Sequence, residues 1–283
     1  MKLSTGARIA LRTVALAYLI ALVAIPIATI LYRTFEPGFG AFWAAIRTPA
    51  AISALNLSLL IVAIVVPLNV VFGVVTALAL VRGRFRGRRL LSGIVDLPFA
   101  VSPIVVGVSL IMLWGVHGWF GGLADLGIQV IFGLPGMVLA TIFVTLPFVV
   151  REVEPVLHEI GIEQEQAAAT LGASGWQTFS RITVPAIRWG LTYGIVLTVA
   201  RALGEFGAVI MVSSGFPGVS QTLTLLVHSR YIDDHNVHGA YAAATLLMFL
   251  ALVTLLLMSL VDRRRPAEPV AASVQETPVR SAA

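Results

Sequence analysis

The sequence predicts an all-α integral membrane protein with six transmembrane helices, and three observations carry that prediction. Hydrophobic residues fill 58% of the 283 positions and charged residues only 12%, far from the composition of a soluble domain. Several apolar runs reach the roughly 20 residues that a helix needs to cross a bilayer. Arginines gather in alternate connections, as cytoplasmic loops require. The chain contains no cysteine, which excludes disulfides, cysteine-ligated metals and a thiol nucleophile. A net charge of +5 fits the same loop bias better than it fits nucleic acid, so no nucleic-acid partner is expected.

Lys2, Arg8 and Arg12 lie in a cytoplasmic N-terminus, residues 1–13, ahead of the first apolar run, 14–31. That run is long for a signal-peptide core and ends at Tyr32-Arg33 without a small-residue cleavage site, so it reads as an uncleaved span. Residues 34–54, with Pro37, Gly38, Pro49 and the amphipathic Phe39 to Trp43, read as an external loop lying partly in the interface. The second span is 55–81, kinked at Pro67. Asn56 and Ser58 near its start read as groups that hydrogen-bond between helices. Five arginines in 82–89 follow as a cytoplasmic anchor, a role that needs no specific lipid headgroup.

The third span is 95–116. Asp96 near its inner end reads as an N-cap or interhelical partner, and Ser102-Pro103 as a proline kink. The alternative at Ser102 is the start of a half-helix whose N–H groups face an anion. A Gly-rich external turn, 117–133, leads to the fourth span, 134–150, extended towards Leu157. The fifth span is 190–212 and the sixth 241–261, with an external loop between them whose segment 222–226 re-enters or lines a gate. His228, Asp233, Asp234, His235 and His238 share that loop without the spacing of a metal site, so no metal is assigned. The six-span core is then 14–262, and the Ala/Pro-rich 263–283 reads as a disordered cytoplasmic tail. On this topology fifteen of the nineteen Lys and Arg residues are inside, three (Arg33, Arg47, Arg230) are outside, and Arg201 is within a span. Both termini therefore face the cytoplasm.

One polar segment, 163–185, interrupts the apolar chain inside a loop of 158–188. Glu163 through Leu171 are good helix formers apart from Thr170, and Gly172 follows where a left-handed cap stops such a helix. Ala167, Ala168 and Ala169 give a low surface that another protein can approach. A second helix starts near Ser174, passes Phe179 and Ile182, and ends before Pro185. Gln166-Ala167-Ala168, three residues, Gly172, nine residues, then Ile182-Thr183-Val184-Pro185 resembles the EAA loop of ABC importer permeases. That family shows Glu-Ala-Ala, Gly and a distal Ile-x-Leu-Pro, so Gln166 stands at the usual Glu and Val184 at the usual Leu. The resemblance implies a coupling helix that docks into a cytosolic ATPase. Glu163, Glu165, Gln166, Ala167, Ala168, Leu171 and Gly172 would form the docking element, with Glu163 or Glu165 supplying the acid. Ile182 and Pro185 are its distal signature. No phosphate-binding G-x-x-x-x-G-K-[ST] occurs in the chain, so ATP and Mg²⁺ would be bound by the partner and the chain itself is no enzyme. His158-Glu159 lacks the second His of a zincin helix, so protease chemistry has no support.

Arg201 and Glu205 form the main ionisable pair within a span; four residues apart, they share a helix face and can pair. A pathway or gate role for Arg201, Glu205 and Ser102 stands beside a purely structural pair. Direct contact with a dianion is disfavoured, because Glu205 cancels the field that an anion would feel.

Over about 35–261 the chain resembles the sulfate/molybdate class of ABC permeases. Asp96 to Gly107, Leu146 to Glu152 and Arg201 to Ala208 carry that likeness. It implies a type I (MetI-like) importer permease in a bacterial inner membrane, taking up sulfate or thiosulfate. The implied partners are a homologous permease, two copies of an ATPase, an external sulfate-binding protein and membrane lipid. A molybdate or tungstate importer is the near alternative. A passive channel or secondary anion transporter is the distant one, and neither needs a polar two-helix loop with this spacing.

Overall fold

The computed structural model describes residues 4–262, and every regular element among them is helical. Lys2 and the tail 263–283, expected to be disordered, lie outside the described residues. Five helices are long and apolar enough to cross a membrane: Gly6–Phe35, Pro49–Arg82, Leu134–Glu159, Gly175–Leu203 and Val237–Leu260. A helix pair, Arg88–Ala100 and Pro103–Trp114, bent by 113°, brings the spans to six when counted as one.

The second span starts earlier than the apolar run does, because Thr48 accepts the Ala51 N–H at 3.3 Å and Pro49 occupies the first turn. A hydroxyl cap followed by proline is a strong helix start. The expected external loop is thereby shortened to one small helix, Phe39–Ile46, whose aromatic rings cluster with Phe35. Pro67, Pro147 and Pro155 all sit inside unbroken helices.

Two prolines show how a helix continues past a missing N–H. A π-helical turn at Ile20–Ala24 precedes Pro26 and another at Phe179–Thr183 precedes Pro185. Widening the turn moves the carbonyl that the ring would otherwise strike. The helix expected to end before Pro185 therefore runs on into the fifth span, making Gly175–Leu203 continuous.

At Ser102-Pro103 the outcome is the opposite. Val101 and Ser102 are both extended, with ψ of 134° at each, as proline favours in the residue before it. Two extended residues break the helix, and the third span is a sharp bend rather than a kink. The fifth span also ends short of the expected 212: it stops at Leu203, and a separate helix, Gly207–Val212, follows a break at Gly204, Glu205 and Phe206. The next loop holds the helix Leu223–Ile232, with Leu223, Leu225, Leu226 and Arg230 buried.

The fourth span is the hub of the bundle. Its Val149 is pressed between Gly73 of the second span and Gly194 of the fifth: a Cβ added at Gly73 would meet Val149 Cβ at 2.7 Å, and one at Gly194 would meet Val149 Cα at 2.9 Å. Small residues let backbones approach where no hydrophobic force drives helices together in lipid. One core cluster joins Ile61, Val65, Met137, Val144 and Val209, and another joins Val74, Leu80, Val95, Val150 and Ile187.

Candidate functional site

The polar loop is built of two helix ends held rigidly together. The helix Glu163–Thr170 closes with a Schellman motif: Gly172 N–H donates to the Ala169 carbonyl and Ala173 N–H to that of Ala168, each at 3.0 Å. Gly172 carries the left-handed φ of +82° that this cap requires. Ser174 then starts the next helix through a capping box, accepting the Gln177 N–H while Gln177 Oε1 accepts the Ser174 N–H at 2.8 Å. Orphan backbone groups at both ends are satisfied within a few residues, so the loop keeps one shape.

Two large apolar side chains stand on its otherwise polar outer surface. Leu171 is 88% exposed and Trp176 73% exposed, with the indole tilted against Phe179 at 5.6 Å. Glu163, Gln166 and Ala167 share that exposure, whereas Ala168 and Ile182 are half-buried and Pro185 is exposed on the outside of the helix turn. Glu165 points elsewhere. It pairs with Arg82 and accepts the Thr183 hydroxyl at 3.0 Å, which leaves Glu163 as the acid on the open side. Trp176 was not among the residues that the spacing singled out; its position in an otherwise polar stretch is the signal that marks it.

The second part of the site is the pair of broken spans. Arg201 and Glu205 do form an ion pair, at 2.7 Å, with side chains 33% and 1% exposed. They do not share a helix face, because Glu205 lies beyond the last turn of the fifth span. Its carboxylate instead accepts the Ala208 N–H at 2.8 Å, at the start of the following helix, and its carbonyl accepts the Thr224 hydroxyl at 2.8 Å. Glu205 thus closes one helix, opens the next and anchors a third segment. A polar void of about 10 Å³ beside it, lined by Ser58, Thr141 and Thr222, has room for a water at most. Ser102, at the other break, is exposed at the N-cap of Pro103–Trp114 and its side chain makes no capping bond. The two breaks adjoin: a Cβ on Gly207 would lie 3.1 Å from the Pro103 Cβ.

Other residues take the roles expected of them or milder ones. Asp96, inside the helix Arg88–Ala100, accepts from Arg151 Nε at 2.8 Å and joins two helices. Ser58 accepts the Leu223 N–H at 2.8 Å. Asn56 is exposed on the surface of the second span instead of bonding across the bundle. Among the described residues no group of three or more His, Cys, Asp or Glu side chains could hold a metal. Three buried or half-buried polar centres had no local signal: Asn69 with Thr145, Arg82 with Glu165, and Arg230.

The family model described as the inner membrane component of binding-protein-dependent transport systems matches residues 69–265. The chain is 48% identical over 251 residues to the sulfate transport system permease protein CysW of Synechocystis sp., covering 88% of this chain and 91% of that protein. It is 35% identical to the sulfate transport system permease protein CysT of the same organism, over 88% of this chain and 87% of the other. A bacterial alginate ABC transporter, solved in complex with an alginate pentasaccharide-bound periplasmic protein, superposes with a TM-score of 0.75 at 18% identity, covering 90% of this chain and 93% of its own. That last likeness establishes the fold.

Proposed function

Because the chain belongs to the binding-protein-dependent transport system inner membrane component family, we propose that it is a permease subunit of an ATP-driven importer of sulfate or thiosulfate. The observation that carries this reading is the loop between the fourth and fifth spans. It is rigid and polar, it exposes Leu171 and Trp176, and it lies where the second span ends at Arg82. A multi-pass membrane protein has little other use for such a surface, and the likeness to sulfate transport permeases supports the choice of anion over molybdate.

In this reading a cytosolic ATPase dimer of the CysA kind grips the loop and holds ATP and Mg²⁺, and this chain makes and breaks no bonds. A CysT-like permease completes the pathway, and an extracytoplasmic sulfate-binding protein delivers the anion. The loop and both termini face the cytoplasm of a bacterial inner membrane, the side on which the arginines gather. ATP binding closes the ATPase dimer and draws the coupling helices together, the spans open outwards, and hydrolysis resets them. A grip equally strong in both states would shift nothing, so the ATPase must hold the loop better in one of them. Arg201, Glu205 and Ser102 belong to the gate formed by the two breaks. The water-sized void beside Glu205 leaves no room there for sulfate.

Labelled sulfate uptake into vesicles containing both permeases, the ATPase and the binding protein tests the reading. Uptake is expected to require ATP and to be competed by thiosulfate more than by molybdate. Uptake indifferent to ATP overturns the importer, and stronger competition by molybdate reassigns the anion.

A further inference from the structure

Arg82, the last residue of the second span, reaches across to the coupling loop. Its Nε lies 3.2 Å from Glu165 Oε2 and its Nη2 lies 3.4 Å from Oε1 and also donates to the Gly161 carbonyl. Gly161, at φ +62°, forms the turn between the fourth span and the coupling helix. Glu165 in turn accepts the hydroxyl of Thr183, which is buried in the π turn that opens the fifth span. One carboxylate therefore meets the end of the second span and the start of the fifth, while the same guanidinium holds the exit from the fourth. Among the described residues no other ion pair joins the coupling helix to a span.

The pair lies at the edge of the bundle's packing, with its side chains largely buried, 20% and 24% exposed. The packing of the bundle runs instead through Gly73, Val149 and Gly194, deeper within it. A planar, forked guanidinium is better suited to fixing geometry between two acceptors than a flexible ammonium is. A contact transmits movement when it joins the displaced part to the part that must follow, and this one joins the coupling helix to two spans at once.

We propose that the Arg82–Glu165 pair is the strut through which displacement of the coupling helix moves the second and fifth spans. Arg82 is a positioning residue for transport, acting through Glu165 without touching the ATPase or the anion. The inference rests on the docking reading given above. In vesicles holding the complete transporter, Arg82→Ala keeps its ATPase and its ATP hydrolysis, while sulfate taken up per ATP hydrolysed falls about fivefold or more. Arg82→Glu behaves alike, and its combination with Glu165→Arg recovers part of the ratio, because the ion pair is remade while the bond to the Gly161 carbonyl is not. Thr183→Val keeps both charges and removes one anchor of Glu165; it gives an intermediate ratio, and it decides the matter if Arg82 variants fail to reach the membrane. An unchanged ratio in Arg82→Ala or in Thr183→Val, or a double variant no better than Arg82→Glu, overturns the strut. Absence of an ATPase from the wild-type complex overturns the docking reading itself, and that is visible before any variant is compared.

Discussion

Gly107 lies against the backbone of Ala208: a Cβ on Gly107 would sit 2.8 Å from the Ala208 carbonyl oxygen and 2.6 Å from Met211 Cβ. This seam joins the half-helix that follows Ser102 to the one that follows Glu205, so the two breaks behave as one unit. Neither neighbour is the flexible end of a side chain, and Gly107→Ala must push backbone from backbone. The substitution is expected to cost about 1–3 kcal/mol and to lower the thermal unfolding midpoint in detergent. Gly93→Ala, whose Cβ would meet nothing within 4 Å, leaves that midpoint unchanged or raises it.

The seam also marks the limit of what periodicity and composition reveal. Apolar runs identify the spans because length and hydropathy suffice to decide them. The breaks do not announce themselves: Pro67 and Pro147 sit in intact helices, Pro26 and Pro185 are absorbed by π turns, and Pro103 follows a full break. Burial does not separate them either: Pro67, in an intact helix, is exposed like Pro26 and Pro185, which follow π turns. The polar loop between the fourth and fifth spans was more legible, since Gly172 and the Ser174/Gln177 capping box act over a few residues. The partner of Glu165 was not, because Arg82 is 83 positions away.

Asn69 shows how a buried amide constrains the hub. Its Nδ2 donates to the Thr145 hydroxyl at 2.6 Å, and that hydroxyl donates to the Thr141 carbonyl at 2.6 Å. Thr145→Val keeps the shape and strands the amide, with an expected loss of about 1–2 kcal/mol. Asn69→Leu combined with Thr145→Val removes both partners and should recover part of that loss. Unfolding of the two variants beside the wild type in mixed detergent gives the comparison; equal losses in the single and double variants would show that the bond matters little.

Arg230 is a buried cation with no carboxylate in its hydrogen-bond shell. It donates to the Gly239 and Ala45 carbonyls at 3.0 and 3.1 Å and to the Thr48 hydroxyl at 2.6 Å. It thereby ties the start of the sixth span to the cap of the second. Lysine has one ammonium where arginine has a fork, and cannot reach three acceptors on separate segments. Arg230→Lys is expected to destabilise by about 1.5–3 kcal/mol, read as a lower unfolding midpoint. A midpoint within a degree of wild type would mean that water replaces the fork.

The outer face of the polar loop between the fourth and fifth spans yields the sharpest test of the proposed docking. Leu171 and Trp176 are large, exposed and fixed by the caps on either side of Gly172. Trp is over-represented among residues whose truncation costs an interface 2 kcal/mol or more, so Trp176→Ala should weaken ATPase association about thirtyfold. Gly172→Ala adds a Cβ that meets nothing within 4 Å and costs only the left-handed strain, roughly 1 kcal/mol, so uptake is reduced modestly. Gly172→Pro loses the N–H that bonds to Ala169 and cannot adopt the positive φ; it should abolish uptake while the protein remains in the membrane. Ala168→Trp, which puts bulk on the half-buried flank of the same helix, should do likewise. Quantifying the ATPase that co-purifies with each variant, beside sulfate uptake, separates lost docking from lost folding. Protease added to intact right-side-out vesicles should leave the loop uncut, and cleavage near Trp176 from that side would place the surface beyond the reach of any cytosolic motor.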